Sequence, residues 1–84
     1  MKTVNAPCVV TRQVTVTKNN SSDLACTVTA PAVSGYAFVA WVGVATEGDV
    51  GAPYIEKATS ETTNVWDRAR KGEKIVATAL YQRS

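Results

Sequence analysis

From Cys8 to Thr17 the chain reads CVVTRQVTVT, with Val10, Val14 and Val16 on one parity and Thr11, Gln13, Thr15 and Thr17 on the other. Period-two alternation of β-branched residues does not suit a helix and predicts a strand with one dry face and one wet face. Related patterns recur along the chain, broken each time by turn chemistry. The polar cluster Asn19 to Asp23 predicts a turn, and Leu24 to Ala30 a second strand with Leu24, Cys26 and Val28 turned inward. These two strands are expected to form a hairpin. Pro31 ends the second by removing a backbone donor, and Ser34-Gly35 supplies the next turn.

Tyr36 to Thr46, YAFVAWVGVAT, is the most apolar segment and has bulky residues on both parities, which predicts a strand covered on both faces. Its valines and Gly43 weigh against a helix. Glu47 to Pro53 is rich in Gly and Pro and predicts a shaped loop. Tyr54-Ile55 begins a short edge strand, Glu56 to Ser60 turns, and Thr62 to Trp66 is another short strand. Asp67 to Lys74 is too short and too Gly-interrupted for a stable helix and is expected to be a loop. The final strand, Ile75 to Arg83, is apolar on both parities and is expected to lie centrally or beneath a neighbour. The expected architecture is an all-β, small antiparallel β-sandwich or compact barrel of five to six strands, with residues 1–7 as a lead-in and 8–84 as a single β domain.

With 84 residues, such a domain buries only about 60 to 65% of the surface of its unfolded chain. A core this thin favours gaining further burial from a partner, so a homo-oligomer is expected. Charged residues are 19% of the chain and the net charge is +2, which gives no large single-sign field. The basic cluster Arg68, Arg70, Lys71 and Lys74 is diluted by Asp67 and Glu73 and is expected to be a solvated loop, with no nucleic acid as partner. No run approaches the roughly 20 apolar residues of a membrane helix, and no apolar stretch follows Met1-Lys2, so synthesis in a cytosol without membrane insertion is expected.

Histidine is absent, which removes the commonest general base and metal ligand near neutral pH. Cys8 and Cys26 have no neighbouring Cys or His to complete a metal site. Their parity matches the apolar positions, which predicts inert buried thiols, with a disulfide as the alternative. Glu47 and Asp49 share one loop, but a domain this small has little room for the cleft of a two-carboxylate hydrolase. No phosphate-gripping glycine loop is present. The expectation is therefore no enzyme, no cofactor and no metal.

What remains is surface. Tyr54 and Trp66 flank irregular segments beside Glu56, Thr63, Asn64 and Asp67. A ring packed on the apolar face of a sugar, with amide and carboxylate groups taking its hydroxyls, uses this combination, as does an anchor residue at a protein interface. Tyr54, Asn64 and Trp66, with Glu47 and Asp49 in the adjoining loop, are the candidate ligand-binding or interface residues.

The stretches SGYAFVAWVGVAT, PYIEKATSETTNVW and IVATALYQR resemble the C-terminal β domains of tail, baseplate and fibre-type structural proteins of phages and prophages of Gram-positive bacteria. The likeness rests on Gly35-Tyr36-Ala37-Phe38, Thr63 to Trp66, and Ala79-Leu80-Tyr81-Gln82-Arg83, and covers about residues 24–84. It implies a non-enzymatic virion component made in the host bacterial cytoplasm. Such a component is commonly a homotrimer, contacts other virion proteins, and builds the host-facing tip or binds a cell-surface saccharide. A stand-alone carbohydrate-binding module using the loop aromatics is the alternative. No family binding residues carry over, because the loops between the shared strands are the variable part.

Overall fold

The structure is a computed structural model that describes residues 7–18, 25–46, 53–67 and 72–84. The described residues contain six strands: β1 (Val9–Thr17), β2 (Ala25–Thr29), β3 (Tyr36–Thr46), β4 (Tyr54–Ile55), β5 (Thr62–Trp66) and β6 (Lys74–Arg83). They form two three-stranded antiparallel sheets, ordered β1-β6-β3 and β2-β5-β4, which makes the chain an all-β protein of small β-sandwich type. The expected turn at Asn19 to Asp23, Leu24, nearly all of the Glu47 to Pro53 loop, and Arg68, Arg70 and Lys71 lie outside the described residues. Lys74 is exposed at the start of β6.

The core lies between the sheets. β6 turns Ile75, Ala77, Ala79 and Tyr81 inward, all almost fully buried, to meet Val28 of β2, Val65 of β5 and Trp41 of β3. The small side chain of Ala79 leaves room for the Trp41 ring, its cross-strand partner on β3, beneath the valines of the other sheet. Phe38 packs edge-on against both Trp41 and Tyr81, with centroids 5.8 and 6.0 Å apart. The apolar character of β6 on both parities has the expected cause, since it is the central strand of its sheet.

The expected hairpin between the first two strands does not form. β1 pairs with β6 and β2 with β5, in different sheets. Strand length weighs against the hairpin, because five-residue β2 would leave much of nine-residue β1 unpaired, whereas ten-residue β6 pairs with all of it and β2 and β5 are matched at five residues each. Among the described strands, only β4 and β5 are consecutive partners, turned at residues 57–60 by a hydrogen bond from Ser60 N to Lys57 O.

β3 also departs from expectation. It is an edge strand, and Val39 and Val42 are 40% and 56% exposed. Its register against β6 slips between Phe38 and Ala40 and again between Trp41 and Gly43. Each bulge inserts one residue and reverses the parity of the residues after it. The inward series therefore passes from Tyr36 and Phe38 to Trp41 and then to Val44, with Val39 and Val42 as the inserted residues. Bulky groups on both parities signalled two bulges, where two covered faces had been expected.

Three contacts tie the sheets together. At one end Lys18, just beyond β1, places Nζ 2.7 Å from Oδ1 of Asp67, just beyond β5, and both side chains are buried. At the other end the Tyr81 hydroxyl donates to the carbonyl of Pro31. Along the β3 side, Trp41 N donates to Ala58 O at 2.7 Å and Trp41 Nε1 to Ser60 O at 2.8 Å, which fastens the β4–β5 turn over the β3 edge. The predicted Ser34-Gly35 turn is present: Tyr36 N donates to Val33 O, and Gly35 takes φ 82°, a conformation glycine adopts without steric cost.

Candidate functional site

The sheet β2-β5-β4 turns one face to the core and the other to solvent. Alternation along β5 buries Thr63 and Val65 and turns Thr62, Asn64 and Trp66 outward. Tyr54 of β4 and Ala25 of β2 are the cross-strand partners of Trp66. One row of the outer face is thus Ala25, Trp66 and Tyr54, with Trp66 half-buried and Tyr54 59% exposed.

The next row is polar and internally bonded. Thr27 Oγ1 donates to Asn64 Oδ1 at 3.0 Å, and Asn64 Nδ2 donates to Glu56 Oε2 at 3.2 Å, while Glu56 N donates to Asn64 O at 2.9 Å. These bonds fix the orientation of the Asn64 amide. A third row pairs Thr29 with Thr62, hydroxyl to hydroxyl at 3.2 Å. Two aromatic side chains at paired positions, beside a fixed amide and an exposed carboxylate, supply the groups needed to pack on a ring-shaped ligand while bonding its hydroxyls.

Tyr54, Asn64 and Trp66 are therefore brought together. Glu47 and Asp49 lie outside the described residues. Thr27 was missed, because it sits 37 residues from Asn64 and only strand pairing brings it in. Thr63 and Asp67, sequence neighbours of the candidates, belong to the interior: Thr63 Oγ1 accepts from Lys57 N, and Asp67 holds Lys18. Their parity, opposite to that of Asn64 and Trp66, was the available signal.

No disulfide joins Cys8 and Cys26 in the structure, contrary to that alternative. Cys26 points inward and is half-buried, but Cys8 is exposed, contrary to the expected burial. Cys8 precedes β1, and its carbonyl accepts from Arg83 N, so its backbone extends the ladder while its side chain lies beyond the core. The described residues contain no group of three or more His, Cys, Asp or Glu placed to hold a metal ion.

A concavity of about 310 Å³ opens at the Tyr81 end, lined by Val33, Tyr36, Phe38, Glu61 and Tyr81 among others. Its two tyrosine hydroxyls are already engaged, Tyr81 with Pro31 O and Tyr36 with Pro7 O, and so serve the fold. Burial raises the Tyr81 pKa above its ordinary value; Arg12 opposes this rise and Glu61 adds to it. A tyrosine held neutral in the folded state contributes stability that is intact below its unfolded pKa near 10 and is lost as pH rises through the higher folded value. Urea unfolding followed from pH 8 to 11 is expected to show a steeper alkaline loss in the wild type than in Tyr81→Phe; equal slopes would remove this role.

Comparison of the chain with protein-family models, with curated proteins and with solved structures finds no match, so the outer face of β2-β5-β4 stands on its own geometry.

Proposed function

We propose that this chain is a non-enzymatic structural or host-surface-binding domain of a phage or prophage particle, which binds a cell-surface saccharide on the outer face of β2-β5-β4. The observation that carries the binding half is the row of Trp66 and Tyr54 beside the bonded row of Thr27, Asn64 and Glu56. Sugars present apolar ring faces flanked by hydroxyls, and this face offers aromatic surface beside amide, carboxylate and hydroxyl groups in the same order. The particle context is supported by the resemblance of residues 24–84 to tail and fibre domains. Its oligomeric character is supported by the small core, in which eight hydrophobic residues among those described are buried.

The test is titration of the labelled protein with cell-wall polysaccharides from Gram-positive bacteria, read by amide chemical shifts. Shifts are expected to cluster on Tyr54, Glu56, Asn64 and Trp66. Tyr54→Ala and Trp66→Ala should each weaken binding at least about tenfold, as for an anchoring ring in an interface. Unchanged affinity in both variants, or no binding to any wall preparation, would overturn the reading.

A further inference from the structure

The four sheet edges are protected unequally. β3 carries two bulges and is covered by the β4–β5 turn through Trp41; β4 is two residues long and β2 five. β1 runs nine residues with no proline and no register shift, and among the described strands it has β6 as its only sheet partner. Natural sheets blunt such an edge with brevity, bulges, proline or charge, and β1 has one charged residue, Arg12.

The direction of its backbone groups follows from two hydrogen bonds. Arg83 N donates to Cys8 O and Lys18 N to Glu73 O, and the register between these points is uniform. Antiparallel pairing alternates, so the even residues from Cys8 to Lys18 direct N–H and C=O at β6. Val9, Thr11, Gln13, Thr15 and Thr17 direct theirs away from it. We propose that this edge pairs antiparallel with the same edge of a second copy across a two-fold axis at Gln13, making one continuous six-stranded sheet.

The sequence is self-complementary in that register. Val9 faces Thr17 of the second copy, Thr11 faces Thr15, and Gln13 faces Gln13, and every one of these positions offers both backbone groups to the other strand. On the inner side Val10 meets Val16, so these dry positions stay together, while exposed Arg12 lies opposite Val14 with no like charge facing it. Moving the axis to Arg12 sets two guanidinium groups opposite each other, and moving it to Val14 forfeits the pairing of Val9. Arg12 Nη1 bonds to Thr11 O at 2.8 Å, an exposed contact between neighbours that gives way cheaply to a strand. A second copy is the occupant because β1 carries a single charge, which calls for no partner of opposite sign, and because about Gln13 like residues face each other at Val10/Val16, Thr11/Thr15 and Gln13 itself.

This pairing rests on the oligomeric part of the proposed function and replaces the expected trimer with a two-fold pair. It is tested by sedimentation equilibrium from about 5 to 200 μM together with amide hydrogen exchange. A dimer is expected, in which the amides of residues 9, 11, 13, 15 and 17 exchange as slowly as their even-numbered neighbours. Gln13→Pro removes the donor at the axis without touching the β1–β6 ladder, and should yield a folded monomer whose odd-numbered β1 amides exchange fast. Gln13→Lys keeps the backbone and sets like charges across the axis, and should weaken the dimer at least about tenfold at low salt, with recovery in high salt. A monomer throughout, a trimer, a dimer with fast odd-numbered amides, or a dimer indifferent to Gln13→Lys overturns the pairing. A monomer that still binds saccharide overturns the pairing alone; a Gln13-centred dimer without saccharide affinity overturns the binding reading alone.

Discussion

Lys18→Met is expected to cost about 3–5 kcal/mol of folding free energy, because it leaves the buried Asp67 carboxylate without the ammonium that sits 2.7 Å away. In a domain of this size that corresponds to a fall in melting temperature of roughly 12 °C or more. A protein of 84 residues has a total stability of only about 4–13 kcal/mol, so this one substitution removes a large share of it. The double variant Lys18→Met/Asp67→Leu should recover part of the loss, since much of the expense of a broken buried pair lies in the carboxylate left buried without its ammonium. Urea denaturation of the three proteins decides the matter: a Lys18→Met midpoint equal to the wild type, or a double variant no better than the single one, would show that the pair is not buried as described.

Trp41→Ala is expected to cost a similar amount, about 3–5 kcal/mol, for two separable reasons. Its ring is 4% exposed, fills the space opposite Ala79 and packs on the edge of Phe38, so its removal leaves a cavity among residues that cannot collapse into it. Its indole N–H and its backbone N–H both reach the β4–β5 turn, so the change also loosens the cover over the β3 edge. Trp41→Phe keeps most of the volume but loses the bond to Ser60 O, and should cost about 1–2 kcal/mol. Native-state hydrogen exchange separates the two effects, with early opening of residues 56–60 expected in both variants. Unaltered protection there would mean that Trp41 serves packing alone.

Strand positions were legible because period-two alternation and turn residues are local signals. β1, β3, β4, β5 and β6 fall within a residue of where the sequence puts them. Partner choice was not legible, because Val and Thr alternation says which face is dry and nothing about which strand lies alongside. The two bulges of β3 were written in the pattern, as Trp41 standing on the opposite parity from Tyr36 and Phe38, but two covered faces leave the same signature. The Lys18–Asp67 pair joins residues 49 apart, and neither has a local context that distinguishes it from a surface charge. For the outer face of β2-β5-β4, composition near Tyr54 and Trp66 was enough to select the aromatics and Asn64. The bonded row completed by Thr27 required the pairing of β2 with β5.

The order of strands has a consequence for how the chain reaches this structure. β6 stands between β1 and β3 yet comes after both in the chain, so neither has a sheet partner until residues 74–83 arrive. Among the described strands, only the β4–β5 hairpin can form from near neighbours, and the other pairings must close longer loops first. During synthesis the Val-rich β1 and the apolar β3 therefore wait, unpaired and adhesive, for the strand that joins them. Closure of this sheet thus depends on β6, the last of its three strands along the chain.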